Sequence, residues 1–175
     1  MGVRINKSKL LEDILSNTTP EGEGPFNSKD QLRIRMRVGK LVLPTLLDNL
    51  QYGSLIFSGK NYETLACFCR ATDAQPQNYF TLAYEEPFSE GELDPAMVVN
   101  DLIMLYDSGE IPTMALLSKQ LELKYGNSGS KLMKGELREI SETSIGKLCE
   151  LTGYQRDRYI LTEQRAQELN RLNKK

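Results

Sequence analysis

The 175-residue chain contains no histidine and no tryptophan. Without imidazole it cannot form Ser-His or Cys-His nucleophile pairs, the commonest nitrogen metal sites or the usual general base near neutral pH. No apolar run approaches the roughly 20 residues that a membrane-spanning helix needs, and the first residues lack the apolar core of a signal peptide. We therefore predict no enzymatic activity, no cofactor or metal, no small-molecule substrate and an intracellular location.

An excess of one charge sign is also lacking, because 22 basic side chains face 24 acidic ones and the formal net charge is −2. This balance gives no overall attraction to nucleic acid or membrane, so anion binding must depend on local patches. Three cysteines, Cys67, Cys69 and Cys149, fit a reducing compartment better than a disulfide framework. The chain is 39% hydrophobic and 26% charged, which is typical of a folded domain.

The most ordered pattern in the sequence lies between Gln31 and Arg70. Apolar residues alternate with basic ones from Leu32 to Val38, which predicts a half-buried strand. Pro44–Tyr52 is predicted to be a short helix, because a proline suits its first turn and Gly53 follows it. Further strands are predicted at Ser54–Phe57, Tyr62–Arg70 and Tyr79–Glu85, the first two as a hairpin around Ser58–Asn61.

Helical patterns occupy both ends of the chain. Met1–Ser16 is predicted to include a short amphipathic helix, and Asn17–Asp30 has the composition of a linker. Asp94 and Pro95 predict the N-cap and first turn of a central helix. The predicted helices of the second half are Ala96–Tyr106, Thr113–Tyr125, Ser130–Ile140, Thr143–Thr152 and Gln155–Leu172.

These patterns predict an α+β fold, with a small antiparallel sheet of about four strands between Gln31 and Glu85 that is covered by helices. The composition divides the chain into an N-terminal arm and linker at 1–30, an α+β core at 31–109 and a helical C-terminal region at 110–175.

One candidate binding surface is the cationic side of the first predicted strand, formed by Arg33, Arg35 and Arg37 and extended by Lys40. Alternate side chains of a strand lie about 7 Å apart, a spacing that suits successive phosphates or anionic lipid headgroups. The alternative is a solvated outer face, or pairing with acids of a neighbouring strand such as Glu63.

A second candidate is the segment Ser144–Tyr159, which resembles a helix-turn-helix. Cys149 provides a small residue four positions before the turn glycine, Gly153, and the predicted second helix contains arginines. DNA contacts would then come from Gln155, Arg156 and Arg158. An antiparallel helix pair needs the same glycine and the same apolar spacing, so it is the alternative.

Four segments between Gln31 and Arg70, LRIRMRV, PTLLDNLQYG, SGK and YETLACF, follow in the order found in the core of rhabdovirus matrix proteins, and the chain resembles the short plant-infecting members. The resemblance implies a viral structural protein that forms homo-oligomers, condenses the nucleocapsid or RNA and bridges it to a membrane. It implies a location in the virion and host cytoplasm. The chain lacks the family's lysine-rich arm and proline-rich late-domain motif, so budding through that motif is not implied.

On this resemblance, Arg33, Arg35, Arg37 and Lys40 would contact nucleocapsid or lipid, and Lys7 and Lys9 of the N-terminal arm would serve self-association or membrane docking. The matrix-like function is our first hypothesis. The alternative is a helix-turn-helix nucleic-acid-binding accessory or regulatory protein of a bacterial cytoplasm. Only the alternative predicts an affinity that depends on base sequence.

Overall fold

The computed structural model describes residues 1–16, 65–66, 68–70, 72–108, 110 and 113–173. Within these residues the predicted α+β class is confirmed, with two antiparallel strands and predominantly helical structure in the second half. The elements are β1 Gly2–Ile5, α1 Lys7–Ser16, a 3-10 helix Pro76–Tyr79, β2 Phe80–Ala83, α2 Pro95–Ser108, α3 Met114–Gln120, α4 Ser128–Met133, α5 Glu142–Thr152, a 3-10 helix Arg156–Arg158 and α6 Glu163–Asn173.

The chain divides into two compact units. The C-terminal unit contains Met1–Arg4 and Phe80–Lys175, and the N-terminal unit contains Ile5–Tyr79. This division follows contacts between residues, whereas the three predicted segments follow changes in composition along the chain.

Helix α2 is the central element of the C-terminal unit, as its sequence predicts. The Asp94 carboxylate caps it, because Oδ1 accepts hydrogen bonds from the backbone N–H groups of Ala96 at 3.0 Å and Met97 at 3.1 Å. The fully buried positions are Val98, Val99, Leu102 and Ile103. Burial of each such side chain is worth about 1.5 to 3 kcal/mol, and α2 uses this apolar surface to pack against α4 and α5.

The described strands differ from the predicted sheet. The predicted fourth strand is confirmed as β2, but its partner is β1, at the start of the chain, where we predicted no strand. The predictions at Leu32–Val38, Pro44–Tyr52 and Ser54–Phe57 lie outside the described residues. The strand predicted at Tyr62–Arg70 is wrong over its described part, since residues 65–66 and 68–70 are helical.

In the N-terminal unit, α1 confirms the predicted amphipathic helix. Tyr79 organises the described contacts of this unit, because its hydroxyl donates to Asp13 Oδ2 at 2.9 Å and its ring meets Phe68 edge to face at 5.9 Å. The Cys69 thiol is buried beside these rings, and burial raises its pKa to about 12.

Among the predicted C-terminal helices, α5 agrees closely with Thr143–Thr152, and α3 and α4 are shorter than predicted. The continuous helix predicted at Gln155–Leu172 is wrong in its first half. A 3-10 turn at Arg156–Arg158 is followed by an antiparallel bridge between Leu93 and Ile160, and α6 begins only at Glu163. Tyr159 causes this break. Its ring is completely buried, and this burial directs the chain into the core.

Candidate nucleic-acid interface

Helix α3 begins with a capped first turn and ends in a sharp change of direction. The Thr113 side chain accepts a hydrogen bond from the backbone N–H of Leu116 at 3.1 Å, which satisfies a donor that the first turn leaves free. Leu117, Ser118 and Leu121 lie at a helical spacing and are buried. This face fixes α3 against the remainder of the C-terminal unit.

A Schellman motif closes α3 and forms the turn. The N–H of Leu123 donates to Ser118 O at 2.9 Å, and the N–H of Glu122 donates to Lys119 O at 3.1 Å. Glu122 has φ +50°, the left-handed conformation that glycine normally provides at this position. The same motif closes α4, where Gly135 has φ +66°.

The second helix starts soon after this turn. The N–H of Ser128 donates to Tyr125 O at 2.9 Å, so a helical turn leads from Tyr125 into α4. Seven residues, Leu121–Asn127, separate α3 from α4, so the connection is longer than the three- to four-residue turn of a helix-turn-helix motif.

The two helices touch at a pair of small residues. The Ser118 hydroxyl accepts a hydrogen bond of 2.7 Å from the N–H of Gly129. A Cβ atom on Gly129 would lie 2.4 Å from Met114 O and 2.6 Å from Ser118 Oγ, so only glycine allows this approach. Ser118 stands four residues before the left-handed turn residue Glu122, the position where a helix-turn-helix needs a small side chain.

The far end of α4 is held by β1 and by the residue that follows β2. Val3 donates a backbone hydrogen bond to Lys134 O at 2.9 Å, and the Tyr84 hydroxyl donates to Gly135 O. Burial is the main reason why the pKa of Tyr84 is raised above its ordinary value. Together with Leu132 and Met133 in the core, these contacts fix the orientation of α4.

The free side of α4 and of the turn before it is polar and basic. Lys124, Tyr125, Asn127 and Lys131 are exposed, and the Lys124 ammonium lies 5.5 Å from the centre of the Tyr125 ring. Residues 113–134 contain four lysines and one glutamate, a local charge of +3 in a chain whose net charge is −2. Glu122, the single acid, forms an ion pair of 2.9 Å with Lys147.

The structure does not place Gln155, Arg156 and Arg158 on a recognition helix. Arg156 is exposed and pairs with Glu142 at 2.9 Å, and this pairing lowers the pKa of the Glu142 carboxyl. Gln155 is exposed at the start of a 3-10 turn. The second helix of the helix-turn-helix predicted at Ser144–Tyr159 is therefore not formed, because a 3-10 turn takes its place.

Arg158 belongs to a buried network around Asp101. Its Nε and Nη2 donate to the two carboxylate oxygens at 2.6 and 2.7 Å, and the Tyr159 hydroxyl donates to Asp101 Oδ2 at 2.8 Å. The hydrogen bond to Asp101 raises the pKa of Arg158, and burial raises that of Tyr159. These contacts connect the 3-10 turn to α2, so the role of Arg158 is to stabilise the fold.

The remaining predicted site residues lie elsewhere. Arg33, Arg35, Arg37 and Lys40 are outside the described residues, as is the side chain of Lys7. Lys9 lies in α1, where its Nζ donates to Asn78 O at 2.9 Å and stands 5.8 Å from the centre of the Tyr79 ring.

Other candidate sites in the described part of the chain have fewer polar groups available to a ligand. A shallow pocket of about 310 Å³ is lined by Arg158, Arg165 and Asp94, but Arg165 Nε already donates to Asp94 Oδ2 at 2.7 Å. No group of three or more Cys, Asp or Glu side chains among these residues is placed to hold a metal ion. None of the described helices is long and apolar enough to cross a membrane.

Comparison with known proteins gives no further assignment. No family model matches this chain, and no curated protein or solved structure is significantly similar to it.

Proposed function

We propose that this chain is a nucleic-acid-binding accessory or regulatory protein and that α3, the connection Leu121–Asn127 and α4 form its binding surface. The observation that supports the proposal most directly is the Ser118–Gly129 contact beside a left-handed turn residue. It holds α3 and α4 in an arrangement similar to a helix-turn-helix with a longer connection, and Lys124, Tyr125, Asn127 and Lys131 are exposed on its free side.

The charges on this surface favour phosphate as the ligand. Lys124 and Lys131 are exposed, and the acid between α3 and α4 is already paired with a lysine of α5. Each phosphate contact made by a lysine releases a counterion and adds about 0.9 to the slope of log affinity against log salt concentration. An exposed tyrosine beside these lysines adds a ring on which a base or sugar can pack.

The test is fluorescence anisotropy of the full chain with random-sequence DNA and RNA oligonucleotides over a range of salt concentrations. The double variant K124E/K131E should bind at least tenfold more weakly and should reduce the salt slope by about 0.9 for each of the two lysines that contacts a phosphate. The matched control is R4E/R171E, which makes the same charge change at two exposed positions outside the motif. Equal losses in both variants, or no binding by the natural chain, would contradict the proposal.

The matrix-like function stays a separate hypothesis, because Arg33, Arg35, Arg37 and Lys40 lie outside the described residues. The two hypotheses place the phosphate contacts on different residues. Neutralising Arg33, Arg35 and Arg37 to glutamine should abolish binding to random RNA and anionic vesicles if the matrix-like function holds. The same variant should bind like the natural chain if the surface of α3 and α4 is responsible.

A further inference from the structure

The shape and chemistry of α4 specify which nucleic acid suits this surface. One side of α4 is buried through Gly129, Leu132 and Met133, so the opposite side is the part that a ligand can approach. On this side Asn127 and Lys131 are exposed and Ser130 is half-buried, and α4 contains no acidic residue. A helix with side chains is about 10 to 12 Å wide, which matches the major groove of B-form DNA.

Asn127 provides an independent indication. It occupies the N-cap position of α4, but its side chain makes no capping hydrogen bond, and it is exposed. An asparagine at this position normally stabilises the helix through such a bond. The amide of Asn127 therefore keeps its donors and its acceptor available for a ligand.

The polar side chains are placed as in a DNA-binding helix, where some side chains contact base edges and others contact backbone phosphates. Asn127 and Lys131 are four residues apart and share one face of α4. An asparagine amide pairs with N6 and N7 of adenine, and a lysine donates to O6 and N7 of guanine. Lys124 and Tyr125 precede this face in the turn, where a backbone phosphate would lie when α4 is in the groove.

The short length of α4 limits what it can read. Six residues span about 9 Å, and successive base pairs are about 3.4 Å apart. One copy of α4 therefore faces roughly three base pairs, so the contribution of base contacts is modest beside that of phosphate contacts.

We infer that the ligand of this surface is double-stranded B-form DNA, with α4 in the major groove, Asn127 and Lys131 at the base edges and Lys124 on a phosphate. This inference rests on the proposed function. It also excludes duplex RNA as an equal ligand, because the major groove of A-form RNA is too deep and narrow for a helix to enter.

The test compares four ligands with the full chain by anisotropy at one salt concentration: duplex DNA, duplex RNA of the same sequence, single-stranded DNA, and duplex DNA whose cytosines are replaced by glucosylated 5-hydroxymethylcytosine. The glucose fills the major groove without changing the phosphates. We expect duplex DNA to bind at least tenfold more tightly than each of the other three. A minor-groove ligand should not displace the protein.

The outcomes separate the two proposals. If duplex RNA or glucosylated DNA binds as tightly as plain duplex DNA, and K124E/K131E still abolishes binding, the inference fails and the proposed function stands. If no ligand binds, both fail.

Substitutions in α4 test the assigned contacts. N127A should retain the fold, because its side chain does not cap α4, and should change the sequences recovered from a random duplex pool while lowering affinity for the selected site about tenfold. The control K124A should weaken binding to all duplexes equally and reduce the salt slope by about one. An N127A variant that recovers the same sequences as the natural chain would overturn the base contact.

Discussion

The hydroxyl of Ser118 joins α3 to α4 by accepting a hydrogen bond of 2.7 Å from the N–H of Gly129. The same oxygen lies 3.1 Å from Met114 O and 3.1 Å from Gly126 O, so it can donate its proton to either carbonyl. One small polar side chain thereby fixes the approach of the two helices. The direction in which Lys131 and Asn127 point depends on this contact.

Gly129→Ala should destabilise the protein by about 1 to 3 kcal/mol, the usual cost of overpacking. Alanine gains up to about 1 kcal/mol of helix propensity over glycine, but its Cβ would lie 2.4 Å from the backbone oxygen of Met114. That oxygen cannot rotate away as a side chain can, so the steric cost exceeds the gain. Urea unfolding followed by circular dichroism measures the difference.

Gly146→Ala is the matched control, because Gly146 lies in α5, is exposed and has no atom within 4 Å of the added Cβ. It should stabilise the protein by about 0.5 to 1 kcal/mol. Should Gly129→Ala raise the unfolding midpoint as Gly146→Ala does, the close contact between α3 and α4 is absent in solution.

Glu122→Asn should stabilise the turn, since asparagine tolerates the left-handed conformation better than other non-glycine residues. The change removes the ion pair with Lys147, but the Glu122 side chain is exposed and that of Lys147 is 34% exposed, and such pairs contribute only about 0 to 1 kcal/mol. Glu122→Gln is the comparison, because it removes the same charge and keeps the backbone strain. We expect the asparagine variant to be more stable than the glutamine variant by about 0.5 to 1 kcal/mol in thermal or urea unfolding.

Local signals in the sequence predict several elements correctly. Asp94 and Pro95 mark the start of α2, and Gly153 ends α5 with φ +74°, because caps depend on a few adjacent residues. The strand β1 is missed, since four residues are too few for a clear alternation and its partner lies nearly 80 positions away. The helical residues 65–66 and 68–70 are missed because their apolar run suits a buried strand equally well.

The candidate site is missed for a related reason. The sequence pattern favours Gly153 as the turn residue of a helix-turn-helix, whereas the turn of the candidate site has Glu122 in the left-handed conformation. The useful signal was Ser118, a small residue on the apolar face of α3, together with Gly129 in a short helix. The role of these residues is recognisable only when the two helices are known to be in contact.

Arg158→Ala should destabilise the protein by about 2 to 4 kcal/mol, because it leaves the Asp101 carboxylate buried with fewer donors. Asp101 is only 6% exposed, so water cannot replace the guanidinium fully. Arg156→Ala should change stability by less than about 1 kcal/mol, since its pair with Glu142 is on the surface. The measurement is urea unfolding of the two single variants.

This pair of variants also tests the position of the DNA contacts predicted from the sequence. At a temperature where both variants are folded, each should bind DNA like the natural chain. A loss of affinity in Arg156→Ala with unchanged stability would return the interface to the segment after α5.

Asn170→Ala and Asn173→Ala should each loosen α6 from the segment that follows β2. The Asn170 amide accepts from Phe88 N at 2.6 Å and donates to Phe88 O at 2.9 Å, and Asn173 makes the same pair of bonds with Tyr84, both at 2.9 Å. Each amide thus makes the two hydrogen bonds that the backbone of a neighbouring strand would make. Its loss leaves one backbone N–H and one backbone C=O without partners, which should lower the free energy of unfolding by about 1 to 3 kcal/mol.

Amide hydrogen exchange measures this effect directly. Protection of Phe88 should fall in Asn170→Ala, and that of Tyr84 in Asn173→Ala. Gln167→Ala is the control, because Gln167 is exposed on the same helix and bonds only within it, to Glu163. Unchanged exchange at both backbone positions would show that the amides do not hold the segment.

Stability should decline at alkaline pH. Burial raises the pKa of Cys69 from 9.0 to about 12 and raises those of Tyr84 and Tyr159 above 10.0. Above those ordinary values the unfolded chain loses protons that the folded chain retains, so the free energy of unfolding falls as pH rises. The decline should begin near pH 9 with Cys69 and steepen near pH 10 with the two tyrosines.

Absorbance at 295 nm, which reports tyrosinate, and circular dichroism should be recorded in one titration. We expect part of the tyrosinate signal to appear only when the helical signal is lost, because Tyr84 and Tyr159 ionise on unfolding. Cys69→Ala should reduce the loss of stability that begins near pH 9, leaving the part due to Cys149, whose pKa burial also raises, and the loss at higher pH. Complete tyrosine ionisation in a chain that keeps its full helical signal would contradict the burial of these hydroxyls.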